Sequence, residues 1–111
     1  MKGFKNVKAY VYGKGIINTN IGIEKGKIAY IGDDSSVIDD QLPFEDGQIL
    51  VPGFIDQHIH GACGADAMDG TEQALLDIAN GLASEGTTAF LATTMTQSPE
   101  NIKKALNAIK D

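Results

Sequence analysis

Short β-branched or aromatic runs lie between the glycines of the first half of the chain, at residues 7–12, 16–18, 21–24, 27–31 and 48–51. Runs of this kind bounded by turn-forming residues predict strands, and together they predict a small antiparallel β lobe. Its clearest piece is residues 21–31, where Glu24-Lys25-Gly26-Lys27 supplies a turn with a glycine available for positive φ, so that two strands close as a hairpin. The polar, turn-rich residues 33–45 predict a loop with one helical turn. At Val51-Pro52-Gly53 the pattern changes to strand, glycine-rich loop, helix, strand, helix. Leu75, Ile78, Ala79 and Leu82 recur at i, i+3, i+4, i+7, which predicts a helix over about residues 71–85, capped by Asp69 or Thr71 and ended by Gly86. Residues 87–92 predict a buried parallel strand. Ser98 as N-cap, Pro99 at the first helical position and Glu100 beside the positive end of the dipole predict a second helix, with Ile102, Ala105, Leu106 and Ile109 on its inner face. The fold class is therefore α/β, with a β lobe over residues 1–52 and a βαβα segment over residues 53–111.

Composition narrows the function classes. With 111 residues and 42% apolar content, the chain can form one modest domain or two small lobes. The net charge is -6 and all nine basic residues are lysines, which argues against nucleic acid as a partner, because phosphate backbones are held by clustered positive charge. Without arginine, a bidentate fork for a phosphate group cannot come from this chain. Cys63 is the one cysteine, so no internal disulfide forms, and residues 1–12 carry no charged-then-apolar leader. With no long apolar run either, the expectation is a soluble cytoplasmic protein that does not enter membranes.

The densest chemistry lies in FIDQHIHGACGAD, residues 54–66. Side chains on a strand alternate faces, so Asp56, His58 and His60 share one face, opposite Ile55 and Ile59. Two imidazoles at i and i+2 can converge on one cation, each giving one nitrogen; they can equally be ordinary histidines at a strand end. Their place at the carboxyl end of the first strand of a βα series, where α/β barrels carry their chemistry, favours the metal. Asp56 reads as a buried, hydrogen-bonded carboxylate or as a group orienting an imidazole. Cys63 reads as a small hydrophobe or a soft ligand. Gly61 and Gly64 either cradle an anion with their backbone or simply allow a tight turn. Thr93, Thr94 and Thr96 end the second strand of this series, where they contact substrate or bond local backbone.

The stretches ILVPGFIDQHIHG, GADAMDG and EGTTAFLATTMT, spread over almost the whole chain, together resemble the amidohydrolase superfamily and, within it, the N-acetylglucosamine-6-phosphate deacetylases. That resemblance implies an incomplete (β/α)8 barrel beginning at residue 53, preceded by an incomplete β-sandwich lobe that strands from the carboxyl end normally complete. It implies a divalent metal, zinc, iron or manganese, held in part by His58 and His60, with Gly61, Gly64 and Asp66 in an active-site loop. It also implies an amino-sugar phosphate as the small-molecule substrate and a homodimer for the full-length enzyme. A complete barrel needs about 250 residues, so the remaining ligands and the catalytic aspartate are expected beyond Asp111. The expectation is thus an amino-terminal fragment, inactive alone and able to self-associate through uncovered strand edges and apolar faces. Two alternatives are an amidohydrolase acting on a cyclic amide or another N-acyl compound, and a small non-catalytic metal-binding protein.

Overall fold

A computed structural model describes residues 1–110 of the chain, which divides into two compact units, Met1–Pro52 and a second from Gly53 onward. The first unit is built on a four-stranded sheet of order β3-β2-β1-β4, with β1 Lys2–Val11, β2 Gly15–Glu24, β3 Lys27–Gly32 and β4 Asp40–Gln41. The runs at 16–18 and 21–24 are one strand, because the polar pair between them does not interrupt pairing. Thr19 and Asn20 are only 4% and 2% exposed, a position polar side chains hold only when hydrogen-bonded. Thr19 Oγ1 and Asn20 Nδ2 donate to the Gly32 carbonyl (3.1 and 2.9 Å), and Asn20 Oδ1 accepts the Asn6 N–H (2.9 Å). The predicted hairpin closes through Lys25 and Gly26, both at positive φ (51° and 73°), the turn whose twist suits the flanking strands.

Two expectations for this lobe change. Residues 48–51 form no strand; Leu50 makes an isolated parallel bridge to Ala9. The helical turn expected in the loop is the 3-10 turn Ser35–Val37, but the loop also contains β4, which pairs parallel with β1, so the sheet is antiparallel with one parallel edge. The Leu42 N–H reaches the Gly3 carbonyl at 2.7 Å and extends that edge. Val7, Ala9 and Ile21 form the core, with Phe4, Phe44 and Leu50 packed against them.

The second unit follows the order β5 Phe54–Ile59, β6 Gly61–Ala62, β7 Ala65–Asp66, α1 Glu72–Ser84, β8 Thr87–Ala92 and α2 Pro99–Lys110. Strands β5 and β8 pair in parallel, joined through the short β6–β7 hairpin and α1. Thr71, not Asp69, caps α1: its Oγ1 accepts the Ala74 N–H at 3.2 Å, while Asp69 belongs to the preceding 3-10 turn, Ala67–Asp69. Gly86, at φ 84°, reverses the chain after the helix, and Ser98 caps α2 through the Asn101 N–H (3.3 Å). Buried Ile78 and Ala74 anchor α1, and Ala105 anchors α2.

Strand β8 is parallel as expected but is not buried: Leu91 is 62% exposed, and Leu106, expected on the inner face of α2, is 52% exposed. Among the described residues β8 has a strand partner on one edge only, and these two side chains are covered by no neighbouring element. No helix is long and apolar enough to cross a membrane among the described residues.

Candidate functional site

The histidine pair sits where β5 ends. His58 is the penultimate residue of the strand and His60 lies just past its last residue, Ile59. Alternation along β5 is not perfect, since its register against β8 shifts between Asp56 and Ile59. At that irregularity the His58 N–H is taken by Asp56 Oδ1 at 3.0 Å. Asp56 is half-buried, and its hydrogen bond serves the backbone of the strand instead of an imidazole.

The two rings nevertheless stand together, with centres 5.1 Å apart and planes at 84°. Two imidazoles bound to one tetrahedral ion through nitrogens at about 2.1 Å would have ring centres about 5 Å apart. The separation of the rings therefore matches that of two ligands of one ion. Among the described residues no group of three or more His, Cys, Asp or Glu side chains assembles to complete such a shell.

His60 is held from two directions. Its Nδ1 lies 3.0 Å from the main-chain carbonyl oxygen of Thr93, and its own carbonyl accepts the N–H of buried Ala67 at 2.8 Å. A carbonyl oxygen only accepts, so Nδ1 of the neutral ring carries the proton and Nε2 keeps its lone pair for a ligand. Thr93 Oγ1 turns back to the Leu91 carbonyl (3.2 Å), so the threonine acts on the site through its backbone and not its hydroxyl. Sequence reasoning missed this contact. Threonine-rich composition drew attention to the position, but only the parallel register, with Ile59 opposite Ala92, brings residue 93 beside residue 60.

The glycine-rich loop is a folded hairpin. Gly61 and Ala62 pair with Asp66 and Ala65 across a turn at Cys63 and Gly64, with φ of 54° and 77°. A Cβ at Gly61 would collide with the Ala65 carbonyl oxygen and approach Asp66 Cα to 2.9 Å. Gly61→Ala should thus destabilise the second unit by about 1–3 kcal/mol and speed amide exchange at Ala67. Urea unfolding and hydrogen exchange report this, and unchanged values at both would show the hairpin can absorb the methyl. Asp66 is occupied in local structure: its side chain accepts the Met68 N–H (2.8 Å), and Asp69 Oδ2 accepts the Asp66 N–H (3.0 Å). The Cys63 sulfur lies over Gly81 of α1, where any Cβ would strike it.

No protein-family model matches the chain. An N-acetylglucosamine-6-phosphate deacetylase of Bacillus subtilis strain 168 is 41% identical over 93 residues, covering 82% of this chain and 24% of the relative. An N-acetylgalactosamine-6-phosphate deacetylase of Escherichia coli O157:H7 is 39% identical over 64 residues, 58% of this chain and 17% of that protein. The crystal structure of the N-acetylglucosamine-6-phosphate deacetylase of Thermotoga maritima superposes with a TM-score of 0.77 at 30% identity, covering 97% of this chain and 27% of that one. The chain spans about a quarter of the length of such relatives. In sequence and in fold, it matches the amino-terminal region of the N-acetylglucosamine-6-phosphate deacetylases.

Proposed function

We propose that the chain is the amino-terminal part of a metal-dependent deacetylase that hydrolyses N-acetylglucosamine 6-phosphate to glucosamine 6-phosphate and acetate, and that it is inactive alone. The observation carrying this reading is the imidazole pair at the carboxyl end of β5, in a chain that matches deacetylases in sequence and fold. On this reading β5, α1, β8 and α2 are the first two βα units of a (β/α)8 barrel. A groove of about 470 Å³ between α1, β8 and α2 supports it, since Leu75, Leu76, Phe90, Leu91 and Ile109 line an apolar surface suited to further units.

His60 through Nε2, and His58 beside it, would hold a divalent ion such as zinc, iron or manganese. When bound, that ion supplies hydroxide near neutral pH and polarises the amide carbonyl. The part played by this chain is positional. Thr93 and Ala67 fix the His60 ring and backbone, and the β6–β7 hairpin forms one wall beside them. General acid–base catalysis and phosphate capture fall to residues outside this chain, which has no arginine. The same reading assigns the complete enzyme to the cytoplasm as a homodimer; this rests on the resemblance.

A chimera tests the proposal. Joined to the remainder of the Bacillus subtilis relative, this chain should restore acetate release from N-acetylglucosamine 6-phosphate, whereas the chain alone should give none. A folded, metal-loaded chimera without turnover would overturn the reading. Similarity to a relative named for the galactosamine epimer favours a second substrate, so both sugar phosphates belong in the assay.

A further inference from the structure

We propose that the end of β8, through the main-chain carbonyl of Thr93, is the positioning group that makes His60 the pre-set member of the histidine pair and leaves His58 as the adjustable one. This rests on the metal reading above and adds to it an asymmetry between the two ligands. Three observations carry it. Thr93 grips the end of β5 with both of its main-chain groups: its N–H donates to the Ile59 carbonyl (2.8 Å), and its carbonyl accepts from His60 Nδ1 (3.0 Å). The next peptide group, just past β5, is fixed from the other side, where the Ala67 N–H meets the His60 carbonyl at 2.8 Å. His58, by contrast, is exposed, its backbone N–H is taken by Asp56 Oδ1, and its ring has no hydrogen-bond partner among the described residues, within a stretch whose register slips.

The chemistry follows from the donor and acceptor inventory. An imidazole whose Nδ1–H is tied to a carbonyl has one tautomer and one ring orientation, so its Nε2 needs no reorganisation to meet a cation. A ring free of such a partner must lose tautomeric and rotational freedom on binding. Outer partners of ligating histidines are typically worth about 10–100-fold in metal affinity.

The test weakens the Thr93 carbonyl without touching a side chain. Replacing Thr94 by its α-hydroxy counterpart turns the 93–94 amide into an ester, a poorer acceptor; the Thr94 N–H it removes makes none of the hydrogen bonds described for this site. In the zinc-free parent chain, ¹⁵N ring shifts should show the His60 proton on Nδ1 and a bare Nε2. The ester should raise the Nε2–H population of His60, leave His58 unchanged and lower zinc affinity by about 10-fold, the lower end of that range. Thr93→Ala should leave the tautomer as in the parent, because the hydroxyl is not the partner. A proton on Nε2 in the parent chain, or an ester that shifts neither tautomer nor affinity, would overturn the proposal. The tautomer is read without metal, so a correctly set His60 in a chain that takes up no zinc would count against the metal reading alone.

Discussion

A chain carrying both His58→Ala and His60→Ala should show no uptake of zinc under conditions where the parent chain binds one ion. The ring centres lie 5.1 Å apart, the separation expected of two ligands of one ion, and no third His, Cys, Asp or Glu joins them among the described residues. Removing both therefore removes every donor the site has from these side chains. Of the single variants, His60→Ala should lose more than His58→Ala, because it discards the ligand that needs no reordering. Isothermal titration with zinc, alongside elemental analysis after dialysis, measures the loss. Equal zinc content in the parent and the double variant would place the ion elsewhere on the chain and would falsify the assignment.

Ile78→Ala should destabilise the second unit by about 2–5 kcal/mol, the range for emptying a fully buried branched aliphatic site. Ile78 is 1% exposed and sits on α1, which packs against β6, β7, β8 and α2. A unit of this size has few such anchors. The other buried apolar side chains of the second unit are alanines: Ala67, Ala74 and Ala105. The void left by the missing side chain adds a cavity cost to the lost transfer energy. Urea unfolding followed at amides of α1 and β8 checks this, and a loss below about 1 kcal/mol would mean that the helix is held by its ends and not by its core face.

Much of the second unit was legible because its signals are local. Ser98-Pro99-Glu100 marks the start of α2 through a cap, a pre-set φ and a dipole preference, each acting within one turn, and α2 begins at Pro99. The residues of β8 could be read from their β-branched and apolar run. The first unit was harder. The buried Thr19-Asn20 pair looked like a break between two strands, because the partners that satisfy it, Gly32 and Asn6, are distant in sequence. Leu106 was placed inside by periodicity and Leu91 by an unbroken apolar run, yet neither signal says what covers a face.

By itself the sequence determined the two helices and two parallel strands of the second unit, the position of the H-x-H pair at a strand end, and the resemblance to deacetylases, all of which depend on residues close together in the chain. Only the tertiary structure decided that the two imidazoles stand side by side despite a slipped register, that Asp56 serves the backbone, that Asp66 caps a turn, and that the Thr93 carbonyl just after β8 comes within hydrogen-bond distance of His60 Nδ1. The reason is physical. Capping and periodicity act within a turn or two of backbone, whereas the proton on an imidazole is placed by whatever oxygen the parallel register of a separate strand brings within hydrogen-bond distance.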